Sequence, residues 1–116
     1  MKIVMLAVGY CFILLCATRA DGISFREKIQ PIIEQHCIEC HDADNKQNDF
    51  SMMSFRDLMR GGKSGRAVTP GEPDESLLFK KITGEDKPQM PRKRPPLPKE
   101  TIELIKKWIE QGPKDN

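Results

Sequence analysis

The stretch "QHCIECHD" (residues 35–42) decides what kind of domain this chain forms. Cys37 and Cys40 are separated by two residues, His41 follows the second cysteine directly, and His36 precedes the first. Four kinds of site use cysteines at this spacing: a disulfide, a metal site, a redox dithiol and a covalent cofactor attachment. The choice among them depends on the compartment of the protein and on the elements that surround the motif.

The N-terminal segment "MKIVMLAVGYCFILLCATRA" (residues 1–20) is typical of a secretory signal. It has a positive charge at Lys2, an apolar run over residues 3–16, and small residues at Thr18 and Ala20. A membrane anchor is the alternative, but a spanning helix needs about 20 apolar residues. The sequence therefore predicts a signal peptide over residues 1–20 and a periplasmic or otherwise exported domain, attached to a membrane only if the signal is retained.

The predicted domain, residues 21–116, is close to electrically neutral. The chain has 19 Lys and Arg and 17 Asp and Glu, and two of the basic residues, Lys2 and Arg19, lie in the signal. This balance argues against a nucleic-acid partner. Cys11 and Cys16 also lie in the signal, so one cysteine pair remains, too few for a scaffold held by several disulfides. A small domain with few aromatic residues then needs another supplement to its core.

Helical spacing of apolar residues begins at Ser24 and leads into the motif. Ser24 is followed by Glu27 three positions later, which is typical of a helix N-terminus. Pro31 removes one amide donor, so it is expected to kink the helix or to restart it in a new first turn.

Three further helices are predicted downstream of the motif. The first begins at Ser54, the second follows a cap at Asp74, and the third lies in the segment 99–112. Glycine- and proline-rich loops, which include 61–73 and 86–98, join these helices. Alternation of apolar and polar residues, the pattern of a strand, is missing from the sequence. The fold class predicted is all-α, with about four short helices and long Gly/Pro loops.

The residues of the motif favour covalent haem over the other three sites. A thioredoxin-like dithiol requires a βαβ context, and zinc requires four converging ligands, whereas neighbours on a helix point about 100° apart. A tight disulfide between these cysteines would be strained, whereas the haem interpretation uses every residue of the C-x-x-C-H motif. In the haem interpretation Cys37 and Cys40 form thioethers with the vinyl groups and His41 ligates the iron. The sequence therefore predicts one covalently attached haem c.

The sixth iron ligand is predicted to be Met90. His36 adjoins Cys37 and belongs to the same side of the haem as His41, so it cannot reach the other side. Met90 lies between prolines in an irregular loop, where no helical stripe explains an apolar side chain. The alternatives that remain open are a five-coordinate iron and the other methionines of the domain: Met52, Met53 and Met59.

The chain resembles the planctomycete-type cytochrome c domain over residues 25–112. The resemblance is carried by "IQPIIEQHCIECH" (29–41), "FSMMSFRDLMRGGKSGRAVTPGEPDESLLFKKI" (50–82), "QMP" (89–91) and "LPKETIELIKKWIEQG" (97–112). The insert "RKRP" after the "QMP" segment departs from the family pattern. The resemblance implies a cytochrome c-like helical bundle around one covalent haem, held by Cys37, Cys40, His41 and Met90.

These observations predict an exported monohaem c-type cytochrome that carries single electrons. No general base, nucleophile or open catalytic metal site is visible in the sequence, so an enzyme is not expected and no substrate molecule is evident. The expected partner is a redox protein. The basic residues Lys87, Arg92, Lys93 and Arg94 would attract an acidic partner, and a solvated proline-rich loop is the equally weighted alternative explanation of these charges. The alternative function is a haem-based ligand-binding or sensory module with a weak or vacant distal position.

Overall fold

A computed structural model describes residues 22–42, 44 and 46–116. The predicted signal peptide, residues 1–20, lies outside the described residues. In the part of the chain that is described, no helix combines the length and the apolar character needed to cross a membrane.

The helix that precedes the motif changes its geometry at the predicted position. A π-helical turn, Phe25–Ile29, leads directly into α1, Gln30–His36, and Pro31 lies in the first turn of α1. The hydroxyl of Ser24 accepts a hydrogen bond from the Glu27 amide at 3.1 Å, which confirms the predicted N-cap. The backbone breaks at Cys37, and the short helix α2, Ile38–His41, follows.

The predicted helix starting at Ser54 is confirmed as α3, Phe55–Arg60. The Ser54 hydroxyl accepts from the Asp57 amide at 3.0 Å, and Gly61 ends the helix with a φ of 75°. The predicted cap at Asp74 is wrong. Pro73–Glu75 forms a separate 3₁₀ turn, and Ser76 is the residue that precedes α4, Leu77–Thr83.

Ser76 stabilises the chain before α4 in a way that differs from a helix cap. Its fully buried hydroxyl accepts from the Thr69 amide at 2.9 Å and donates to the Glu72 carbonyl at 2.8 Å. The hydroxyl is therefore used to join two stretches of a loop, and the first turn of α4 receives no side-chain cap.

The last helix, α5 (Lys99–Glu110), contacts the π-helical turn Phe25–Ile29. Trp108 and Ile109 are fully buried, and the ring of Trp108 lies 5.8 Å from that of Phe25. Phe25 also meets Phe55 of α3 edge to face at 5.2 Å. These contacts join three helices that are distant in sequence, and burial of their apolar side chains is the main source of stability.

The predicted all-α class is confirmed for the described residues. They contain five α-helices, a π-helical turn and two 3₁₀ turns, Gln47–Asp49 and Pro73–Glu75. Their only extended pairings are two isolated bridges, His41 with Lys46 and Gly62 with Gly65. The long loops predicted from glycine and proline connect the helices and form much of the wall of the cavity described next.

Candidate haem-binding cavity

A cavity of about 840 Å³ lies beside the cysteine motif. Its volume is in the range of sites that bind organic ligands. All four site residues predicted from the sequence line it: Cys37, Cys40, His41 and Met90. The apolar part of the wall includes Phe50, Met52, Ala67, Leu78, Ile82 and Leu97. The fold therefore brings the predicted iron ligands and a largely apolar surface to one place.

The two cysteines lie one helical turn apart, directly after the break in the backbone at Cys37. Cys37 ends α1 and starts α2, and its carbonyl accepts from the amides of Cys40 at 3.2 Å and of His41 at 3.1 Å. Neither cysteine is part of a disulfide in this structure, so both sulfur atoms are available for a covalent attachment. Cys37 is half-buried and Cys40 is exposed.

The position of Cys37 favours an uncharged sulfur. Burial raises the pKa of its thiol from 9.0 to about 11, and this effect outweighs the opposing effect of the positive charge of Arg94. A thiol that stays protonated is a poor nucleophile for dithiol exchange. A thioether carries no ionisable proton, so it suits this position.

The ring of His41 is oriented by a backbone carbonyl. Its Nδ1 lies 3.1 Å from the Phe50 oxygen. Because a carbonyl can only accept a hydrogen bond, Nδ1 is the nitrogen that carries the proton, and Nε2 has the free lone pair in the neutral ring. The amide of Met52 donates to the His41 carbonyl at 2.6 Å, so the same segment also holds the backbone of His41.

A glycine loop supports the segment that orients His41. The Lys63 amide donates to the Asn48 carbonyl at 2.9 Å, and the Asn48 side chain donates to the Ser64 hydroxyl at 2.7 Å. A Cβ at Gly62 would lie 2.6 Å from the Asn48 oxygen and 2.8 Å from Phe50 Cβ. The close approach requires glycine, and it places Gly62 in the cavity wall.

Met90 reaches the cavity on a segment that is anchored to α4. Its amide donates to the Lys81 carbonyl at 2.9 Å. The Lys81 ammonium donates to the Lys87 carbonyl at 2.8 Å and lies 3.4 Å from the Asp86 carboxylate. Helix α4 therefore supports the loop that presents Met90.

The other methionines occupy different environments. Met52 is buried and lines the cavity beside His41, whereas Met53 and Met59 do not line it. Met53 is 47% exposed, and Met59 packs against the apolar core. The cavity wall thus contains two of the four methionines considered from the sequence, Met52 and Met90.

The sequence predicted only some of the charged groups on the cavity wall. Lys81, Arg92, Lys93 and Arg94 are all lining residues, and Arg94 forms an ion pair with Glu39, the residue between the two cysteines of the motif. Sequence reasoning missed this pair and the contact of His41 with Phe50. For the ion pair, the only signal in the sequence was the opposite charge of Glu39 and Arg94. For the contact of His41 with Phe50 there was no signal, because every residue has a backbone carbonyl.

The arrangement fits a covalent haem site. It has two free cysteines on one turn, a histidine whose Nε2 is free, a thioether sulfur on a separate segment, and an apolar wall. Haem iron arrives with four nitrogen donors of its own, so one or two axial side chains complete its coordination. The residues present therefore fit a c-type haem.

A family model described as "Planctomycete cytochrome C" matches residues 37–94, half of the chain. The chain belongs to this family, which implies a covalently bound haem c. No curated protein matches the chain. Among solved structures it is similar to "Kuenenia stuttgartiensis Hydrazine Synthase", with 21% sequence identity and a TM-score of 0.47. That similarity covers 78% of this chain and 16% of the other, so this chain spans a small part of its length.

Proposed function

We propose that this protein is an exported monohaem c-type cytochrome, a cytochrome c-like bundle that carries single electrons between redox partners. The observation that carries the proposal is the placement of Cys37, Cys40, His41 and Met90 on the wall of one cavity, within a chain of the cytochrome family. When bound, haem c supplies an iron that exchanges one electron between its ferric and ferrous states.

Each site residue has a distinct role in this proposal. Cys37 and Cys40 hold the macrocycle through thioethers, and the half-buried position of Cys37 suits an uncharged sulfur. His41 offers Nε2 as the proximal ligand, because its Nδ1 proton is used in the hydrogen bond to Phe50. The hydrogen bond also makes the imidazole a stronger donor to a metal.

Met90 is proposed as the distal ligand in preference to Met52. The Met52 amide donates a hydrogen bond to the His41 carbonyl, so Met52 belongs to the segment that orients the predicted proximal ligand. Met90 is presented by a separate segment anchored to α4. Ligation by histidine and methionine raises the reduction potential, which suits an electron carrier.

If His41 and Met90 both hold the iron, the iron would have no place for a substrate, so we propose a carrier rather than an enzyme. The proposed partner is a redox protein with an acidic docking surface. Arg92 and Lys93 are exposed on the cavity wall, and they follow Met90 by two and three positions. Their positive charges would steer such a partner towards the haem. A periplasmic location rests on the predicted signal over residues 1–20, and neither nucleic acid nor a small substrate is proposed.

The test is a set of spectra of the exported protein, produced in a host with haem-attachment machinery. We expect haem that stays with the polypeptide after denaturation, a methionine-to-iron charge-transfer band in the oxidised protein, and no response of the reduced protein to carbon monoxide. Ready binding of carbon monoxide would instead identify a ligand-binding or sensory module. A protein without covalent haem would contradict both functions.

A further inference from the structure

We propose that the ion pair between Glu39 and Arg94 is a latch that holds the Met90 segment against the cysteine motif. Glu39 is a spacer residue of the motif, and Arg94 follows Met90 by four positions, in the insert "RKRP". The pair therefore connects the segment with the predicted proximal ligand to the segment with the predicted distal ligand. The proposal rests on the proposed function where it concerns the role of Met90 as a ligand.

The latch completes the attachment of a segment that is otherwise fixed at its base. The Met90 amide and the Lys81 side chain join residues 86–90 to α4. The Gln89 side chain adds a weaker contact to the Ile82 carbonyl at 3.4 Å. Arg94 joins the far end of the segment to the motif, so that the segment lies along the cavity with both ends held.

A second observation places Arg94 close to the motif. Its positive charge acts on the Cys37 thiol and lowers the pKa of that group, against the larger effect of burial. Both Arg94 and Glu39 also line the cavity. The guanidinium is thus near the predicted haem attachment as well as in contact with Glu39.

The latch biases the segment towards the closed position without locking it. The side chains of Arg94 and Glu39 are 42% and 71% exposed, and exposed pairs of this kind change an equilibrium by about two- to fivefold. Salt screens such pairs, since the Debye length falls to about 3 Å at 1 M ionic strength. Loss of the pair is therefore expected to raise the open population of the segment by this factor at low salt.

The experiment measures hydrogen exchange at the Met90 amide of the haem-loaded protein. This amide is protected by its bond to the Lys81 carbonyl, so its exchange reports opening of the segment. We expect R94Q and E39Q each to raise its exchange rate about two- to fivefold at low salt. The double variant should exchange no faster than either single variant, and the charge-exchanged variant E39R/R94E should return to the parent rate.

The matched control is R92Q, which removes a positive charge from the same exposed turn. The latch proposal is overturned if the single variants exchange at the parent rate, if R92Q has the same effect, or if the effects of E39Q and R94Q add. It is equally overturned if the acceleration persists at high salt, because a contact other than the ion pair would then be responsible.

A second readout connects the latch to the iron. An added ligand such as imidazole can replace Met90 only when the segment opens, so its apparent affinity for the ferric protein should rise by the same factor in R94Q. A parent protein without a methionine-to-iron band would overturn the proposed function. The hydrogen-exchange rates of the variants would still show whether the ion pair holds the Met90 segment. A parent with the band and unchanged exchange in R94Q would overturn the latch alone.

Discussion

The Nδ1 atom of His41 lies 3.1 Å from the carbonyl oxygen of Phe50, and this contact orients the predicted proximal ligand. The Met52 amide completes the attachment by donating to the His41 carbonyl. The ring and the backbone of His41 are therefore held by one short segment. Any change that moves the segment is expected to alter the electron donation of His41 to a bound haem iron.

Gly62→Ala is expected to raise the reduction potential of the haem. The added Cβ would press on Asn48 and Phe50, at 2.6 Å and 2.8 Å, and would displace the carbonyl that accepts from His41. A less basic imidazole stabilises ferric iron less, so the potential rises. Overpacking should also reduce the free energy of unfolding by about 1–3 kcal/mol. Potentiometric titration and chemical denaturation measure the two effects.

Gly71→Ala is the matched control for this change. Gly71 has a φ of 80°, so alanine is strained there, but its Cβ would meet nothing within 4 Å and Gly71 does not line the cavity. We expect a comparable loss of stability, about 1–2 kcal/mol, with the potential unchanged. Equal shifts of potential in the two variants would show that the effect comes from general destabilisation and not from the support of His41.

Met90→Ala is expected to abolish the methionine-to-iron charge-transfer band, lower the reduction potential and allow the reduced protein to bind carbon monoxide. The reason is that loss of the thioether opens the distal position of the iron. Absorbance spectra and potentiometry test this directly. A protein that already binds carbon monoxide should hardly change on this substitution.

Met52→Ala and Met53→Ala test whether a methionine other than Met90 binds the iron or only packs in the protein. Met52 is buried, so its truncation should reduce the free energy of unfolding by about 2–5 kcal/mol while the charge-transfer band is retained. Met53 is exposed, and its truncation should change neither property. Loss of the band in Met52→Ala, together with its retention in Met90→Ala, would assign the distal position to Met52.

The double variant Cys37→Ala/Cys40→Ala is expected to lack covalent haem and to be largely unfolded. Without an occupant, a cavity of about 840 Å³ removes apolar contacts from a domain with only twelve buried apolar residues among those described. Circular dichroism at the helical bands tests the loss of structure. Each single variant should keep haem through one thioether, and a folded, cooperative haem-free chain would contradict the expectation.

Charge reversal at Arg92 and Lys93 is expected to slow oxidation of the reduced protein by an anionic oxidant such as ferricyanide. Both side chains are exposed on the cavity wall, so they contribute to the local positive potential. The double change R92E/K93E should lower the rate constant about tenfold at low salt and less at high salt. Stopped-flow kinetics measure it, and K114E, an exposed charge that does not line the cavity, should have little effect.

Local sequence patterns accounted for most of the secondary structure. The N-caps at Ser24 and Ser54 and the restart of the helix near Pro31 were predictable, because each depends on residues within one turn. Asp74 was assigned wrongly, because Pro73–Glu75 forms its own 3₁₀ turn and Ser76 is used to bridge Thr69 and Glu72. That bridge depends on the path of a loop, which local patterns do not contain.

The candidate site also has a part that depends on local sequence and a part that depends on the path of distant segments. The sequence by itself determined the cysteine motif and the adjacent histidine, since one helical turn brings Cys37, Cys40 and His41 together wherever the motif lies. Only the tertiary structure decided that Phe50 accepts from His41, that Met90 and Met52 share the cavity wall, and that Arg94 meets Glu39. These contacts join residues 9 to 55 positions apart in the printed sequence, and they form only when buried apolar side chains fix how the helices and loops pack.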